Sequence, residues 1–167
     1  MLKKVYDFKD YDKYMCLKIS LEMWLIIVYL MRPFPVLISS FRGGRGGAKG
    51  VKGADGIKQI LYPDDFTLVL GILATIPAIL FMIAVMKRKP SAGAFFRGVW
   101  RNGALMLSMA AVMNIVIVFI PILTGVISKV HMTGWVQVAI SIAIIFYLNT
   151  SKRVKDTFED FPAVIDE

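Results

Sequence analysis

Residues 66–86 read FTLVLGILATIPAILFMIAVM, a run of 21 without a charge. A helix rises about 1.5 Å per residue, so this run is ~31 Å long, the thickness of a bilayer's hydrocarbon core. Two more stretches pass the same test. Residues 103–127 carry no charge, and residues 132–149 have Gln137 as their most polar interior member. A fourth stretch, residues 21–41, is apolar but holds Glu22 near its start and Arg32 in its middle. These four runs predict an all-α polytopic membrane protein, a four-transmembrane-helix bundle.

Composition points the same way. Of 167 residues, 57% are apolar and 19% charged, against about 45–50% and about 25% in soluble domains. A water-soluble bundle fails on proportion, because what lies outside the four runs is too short to cover them. One cysteine excludes an internal disulfide framework. A cleavable signal peptide does not fit either: the residues before Leu21 mix five lysines with Asp7, Asp10 and Asp12.

Charge placement sets the threading. Four spans put the arm 1–20, the loop between the second and third spans, and the tail 150–167 on one side. That side holds thirteen Lys and Arg, including Lys87-Arg88-Lys89 directly after a span; the other holds six. Basic flanks stay on the cytoplasmic side during insertion, so both termini are expected there. Trp24, Trp100, Trp135 and Tyr147 fall near span ends, where amphipathic rings suit the headgroup zone. Residues 94–101 mix apolar and cationic side chains and read either as a simple connection or as a segment lying along the surface. The external loop 42–65 is glycine-rich, with seven glycines between 43 and 56, and reads as a linker; it lacks the Gly-Lys-Ser/Thr of a phosphate loop.

Arg32 is the residue with the most chemistry. A cation inside a span costs at least ~2.5 kcal/mol on insertion scales and is usually paired or functional. Pro33 and Pro35 follow it and deprive the Tyr29 and Met31 carbonyls of their helical partners. Three readings stand open: a structural ion pair, a snorkelling anchor, and a substrate or ion site at a broken helix. For the pair, the expected partners are Asp64 and Asp65, which also suit the N-terminus of the next helix. Asn114 and Gln137 are amides placed to bond across helices. His131 stands alone without metal-binding neighbours, and Cys16 has no activating partner. No catalytic pair, cofactor motif or metal set is expected, and the reading is of a non-enzyme.

Asp10-Tyr11-Asp12, Leu17-Lys18, Trp24, Arg32 and Tyr62-Pro63-Asp64 ahead of a span with Gly71 and Pro77 together carry a resemblance. From about residue 6 to 162 the chain resembles the YfeZ-like family of small inner-membrane proteins of Gram-negative bacteria, a family of unknown function. The resemblance implies a multi-pass inner-membrane location and draws attention to Asp10, Tyr11, Asp12, Arg32, Tyr62, Pro63 and Asp64. The glycine-rich insertion departs from the family pattern. The expected role is an accessory subunit assembling through small-residue helix faces, such as Gly71 with Thr75 and Ala74 with Ala78, into a homo-oligomer or larger membrane complex. The alternative is a small transporter or channel using Arg32. The expected surroundings are lipid, with no nucleic acid.

Overall fold

A computed structural model describes residues 6–12, 14–43 and 61–162. Most of the glycine-rich loop, residues 44–60, lies outside the described residues. Among those described, the chain is helical, with one isolated antiparallel bridge between Tyr11 and Leu17. The helices are α1 (Leu21–Leu30), α2 (Pro33–Gly43), α3 (Asp65–Ala74), α4 (Ile76–Met86), α5 (Ala94–Arg101), α6 (Gly103–Leu123), α7 (Met132–Thr150) and α8 (Lys152–Glu159).

Three helical segments are long and apolar enough to cross a bilayer: Asp65–Met86, Gly103–Leu123 and Met132–Thr150. The first is α3 and α4 in series, bent at Thr75. Pro77 leaves the Leu73 carbonyl without its usual donor, and the turn tightens, with the Thr75 N–H and hydroxyl both donating to the Ile72 carbonyl at 3.1 and 2.6 Å.

The expected single span over 21–41 is corrected to two half-helices. Pro33 and Pro35 remove two donors, and the chain answers with short-range bonds. Arg32 N–H donates to the Tyr29 carbonyl at 3.3 Å, and Phe34 N–H to the Met31 carbonyl at 3.1 Å. Both orphaned carbonyls are thereby satisfied, which a membrane-embedded break requires. The span expected over 103–127 ends earlier, at Leu123. Gly125 takes a positive φ of 74°, and the Thr124 hydroxyl bonds back to the Ile120 carbonyl at 3.1 Å; a left-handed residue ends a helix however apolar Val126 and Ile127 are.

At the centre is α6, in contact with α1, α3, α4, α5, α7 and α8. Its small residues Ala110 and Ala111 are fully buried. They allow α1 and α7 to close in, and Met23, Ile27, Leu30, Leu107, Ile144 and Leu148 fill one continuous core. A smaller cluster joins α2 to α3 through Val36, Tyr62 and Leu68. Less than half of each long helical segment is buried within the chain, leaving broad apolar faces outward.

The two ends of the chain meet at one end of the bundle. Arg153 pairs with Asp10 at 2.9 Å, the Tyr6 hydroxyl donates to Asp156 at 2.5 Å, and Leu17 N–H donates to Asp160 at 2.6 Å. Arg88 ties both segments to α4, donating to the Leu17 carbonyl at 2.8 Å and the Asp160 carbonyl at 2.7 Å. Cys16 is buried in this junction. Burial, reinforced by the nearby Asp160 carboxylate, pushes its thiol pKa up. The thiol therefore stays protonated at neutral pH, and thiolate is the nucleophile. Maleimide labelling of Cys16 at pH 7.5 is expected to be slow and to accelerate severalfold in Asp160→Ala; equal rates would place the thiol outside the junction.

Gly103 opens α6 where no side chain fits. A Cβ there would meet Phe81 at 2.6 Å and also press on the Phe158 ring. Gly98 on α5 has open space around it. Gly103→Ala is expected to destabilise by about 1–3 kcal/mol through overpacking, and Gly98→Ala to be neutral or stabilising by up to about 1 kcal/mol. Thermal unfolding of the two variants in the same detergent checks the contrast.

Candidate functional site

The break after Leu30 aims Arg32 across the bundle. Its Nη2 donates to Asn114 Oδ1 on α6 at 3.1 Å and to Gln137 Oε1 on α7 at 2.8 Å. Beneath the guanidinium lies the Tyr29 ring, 4.4 Å from Cζ to centroid, an arrangement worth about 2 kcal/mol or more where water is excluded. Tyr29 is itself fixed, its hydroxyl donating to the Gln137 backbone carbonyl at 3.3 Å. Asn114 is oriented by its own amide nitrogen, which donates to the Ala110 carbonyl at 3.1 Å; only Oδ1 can then face the cation. Three helices converge on one charge.

Tyr62 completes the surround. It precedes α3, is 2% exposed, and packs on Gly71, where a Cβ would sit 2.8 Å from its ring. Gly71 is thus a close-approach glycine that seats the tyrosine. The Tyr62 hydroxyl lies beside the guanidinium but short of hydrogen-bond geometry. Burial raises its pKa, and the adjacent Arg32 charge opposes that rise.

Among the described residues, no carboxylate is paired with the cation. Asp64, one of the expected partners, serves instead as the N-cap of α3: its carboxylate accepts from Thr67 N–H at 3.2 Å and from the Thr67 hydroxyl. Asp65 follows it as an exposed residue of the first turn. In place of a carboxylate, Arg32 has two neutral amide oxygens and an aromatic face. Its Nε and Nη1 are buried without hydrogen-bond partners, as is the Tyr62 hydroxyl. Unsatisfied polar atoms of a charged group at this depth are costly.

Depth follows from the partners. Asn114 lies nine residues, about 14 Å, from the Leu123 end of α6, and Gln137 five residues, about 8 Å, from the Met132 end of α7. A small cleft of about 30 Å³ opens between the start of α3 and the α6–α7 turn, lined in part by Pro63, Thr67, His131, Thr133 and Gln137. It has room for about one water-sized species, and Gln137 is common to the cleft and to the cation.

The other positions singled out in the sequence lie elsewhere. Asp10, Tyr11 and Asp12 belong to the junction of the chain ends, where Asp10 meets Arg153 and Asp12 N–H donates to the Cys16 carbonyl at 2.8 Å. Among the described residues no three His, Cys, Asp or Glu side chains are grouped as a metal would require. The sequence singles out Tyr62, Asn114 and Gln137 without joining them to Arg32. The signal that joins them is that Asn114 and Gln137 are the amides within the interiors of the later spans, Asn149 falling at a span's last position.

Residues 6–160 match the family model described as "Protein of unknown function (DUF2919)", and the chain belongs to that family. No curated protein and no solved structure matches it.

Since Asn114 and Gln137 share one guanidinium nitrogen, their replacements should not be independent. Asn114→Leu and Gln137→Leu are each expected to cost about 1.5–3 kcal/mol, the range for bonds to charged groups. The double variant should exceed the sum by about 0.5–3 kcal/mol, because Nη2 then loses its last acceptor. Unfolding in micelles measures the cycle; strict additivity would mean that the two amides do not act on the same cation.

Proposed function

We propose that this chain is a non-enzymatic, four-crossing membrane protein that binds a small anion at Arg32 and passes it across the bilayer as a carrier or channel. One observation carries the reading: a guanidinium within the apolar bundle has neutral partners, an aromatic floor and two buried nitrogens without partners. A structural ion pair would supply a carboxylate, and no described carboxylate is paired with Arg32. An anion would satisfy the free nitrogens and neutralise the charge, both gains being larger where the dielectric is low. The cleft at Gln137 supports a small ligand and an approach from the α6–α7 turn.

The contacts of Asp10 with Arg153 and of Leu17 with Asp160 support the reading of four crossings: two arms on one side of a membrane require an even number, and α1 with α2 would then supply the fourth beside the three long segments. The excess of Lys and Arg at the shared end favours a cytoplasmic placement, and the YfeZ-like resemblance favours a bacterial inner membrane. The small residues that suggested assembly through helix faces, Gly71, Ala74 and Ala78, are buried within the chain, which accounts for them without a second subunit.

The test uses purified protein in nanodiscs with chloride, nitrate, acetate or inorganic phosphate. A ligand bound only to the folded state stabilises it by about 2.7 kcal/mol at a hundred times its Kd. At least one of these anions should raise the melting temperature of the wild type and leave Arg32→Gln unmoved, and flux of that anion in proteoliposomes should disappear in Arg32→Gln at equal protein density. If every anion acts equally on both proteins, the reading fails.

A further inference from the structure

At the opposite end of the bundle, where Tyr6–Leu17 meets Arg153–Asp160, a second cleft of about 470 Å³ lies between α5 and α8. Its lining includes Arg97 and Arg101, one turn apart on α5, and the rings of Trp100, Phe158 and Phe161. Glu159 stands on the α8 rim. The volume falls within the range of small-ligand sites, about 300–1,000 Å³.

The site is built rather than incidental. Trp100 is 1% exposed and is held by rings on several sides: Phe81 at 5.7 Å, Phe158 at 5.7 Å and Phe161 at 6.3 Å between centroids. Arg88 covers its face at 4.2 Å, and its indole N–H is buried without a partner. Arg97 is fixed by donating to the Ala92 carbonyl at 3.2 Å and the Pro90 carbonyl at 2.8 Å, and its guanidinium lies 5.5 Å from the Phe161 centroid. Arg101 is exposed.

Position selects the ligand. Helix α5 links the end of one membrane-length segment, Met86, to the start of another, Gly103. It is amphipathic, with Phe95 exposed beside the arginines, as expected of a helix at headgroup level. Guanidinium groups match phosphate oxygens in planar, paired geometry. Glu159 across the cleft repels a free multivalent anion and accepts from an ammonium or hydroxyl group carried beyond a phosphate. We infer that the α5–α8 cleft binds the phosphate ester headgroup of a membrane phospholipid, with Arg97 and Arg101 on the phosphate and Glu159 on the headgroup's terminal donor.

Native mass spectrometry of delipidated protein tests this with added phosphatidylethanolamine, phosphatidylglycerol and phosphatidylcholine. The wild type should hold one tightly bound lipid of the first two kinds. Arg101→Gln, a change at an exposed side chain, should weaken that first binding event by about five- to tenfold. Arg97→Gln combined with Arg101→Gln should abolish it, and Glu159→Gln should weaken phosphatidylethanolamine more than phosphatidylcholine. Lys152→Gln at the same end, and Arg32→Gln, should leave it unchanged, so this inference and the anion reading fail separately. Millimolar phosphoethanolamine that leaves the lipid in place supports the membrane source; phosphoethanolamine bound in its stead would overturn that source in favour of a soluble ester. Lipid retained equally by Arg101→Gln and wild type would overturn the site itself.

Discussion

A charged group placed in an apolar bundle constrains everything around it, because each of its donors must find an acceptor inside the chain. Arg32 meets that constraint only in part. Asn114 from α6 and Gln137 from α7 supply oxygens, and Tyr29 supplies a π face. The register of three helices is therefore tied to one guanidinium. Sliding α7 by one residue would turn Gln137 away by about 100°, and the cation would lose its shorter bond. The two nitrogens left over, Nε and Nη1, are buried without a partner among the described residues.

The broken helix is the other half of this arrangement. A continuous helix over 21–41 would hold its polar backbone groups in its own ladder and offer nothing at mid-depth. Pro33 and Pro35 interrupt the ladder beside the cation, and the Tyr29 and Met31 carbonyls are recaptured by Arg32 and Phe34 N–H groups. The break thus turns the backbone without leaving the two carbonyls bare, the condition under which irregular backbone is tolerated in an apolar setting. Tyr62 reaches the same point from the far side of α2, seated by Gly71. Glycine is needed at 71 for that ring and at 103 for Phe81 and Phe158, so these two close approaches fall at the two polar or aromatic centres of the fold.

Much of this was legible in the sequence, for a physical reason. Hydrophobic length fixes spans almost independently of context, so 66–86 and 132–149 agree with the helices to within a residue or so, and the proline pair marked the break. Asp64 read both as an ion-pair partner and as a cap, and the cap is what the structure shows, since capping is local. Three things were hidden. The end of α6 at Leu123 depends on Gly125 adopting positive φ, which apolar neighbours mask. The partners of Arg32 are 82 and 105 residues away, and a rule that seeks opposite charge looks to Asp64 before Asn114. The junction of the chain ends joins residues 143 apart, and nothing in either segment's composition announces the other.

Packing differs along the two halves of the broken helix. On the α1 side, Met23, Ile27 and Leu30 are fully or almost fully buried in the large core that continues to Trp100 and Phe158. On the α2 side, Pro33 is fully buried and Val36 joins Tyr62 and Leu68 in a second cluster. Arg32 stands between the two, with Tyr29 of the first half under its guanidinium and Tyr62 of the second cluster beside it. The cation is therefore held by both halves of the fold, and the proline-marked break is what brings them to it.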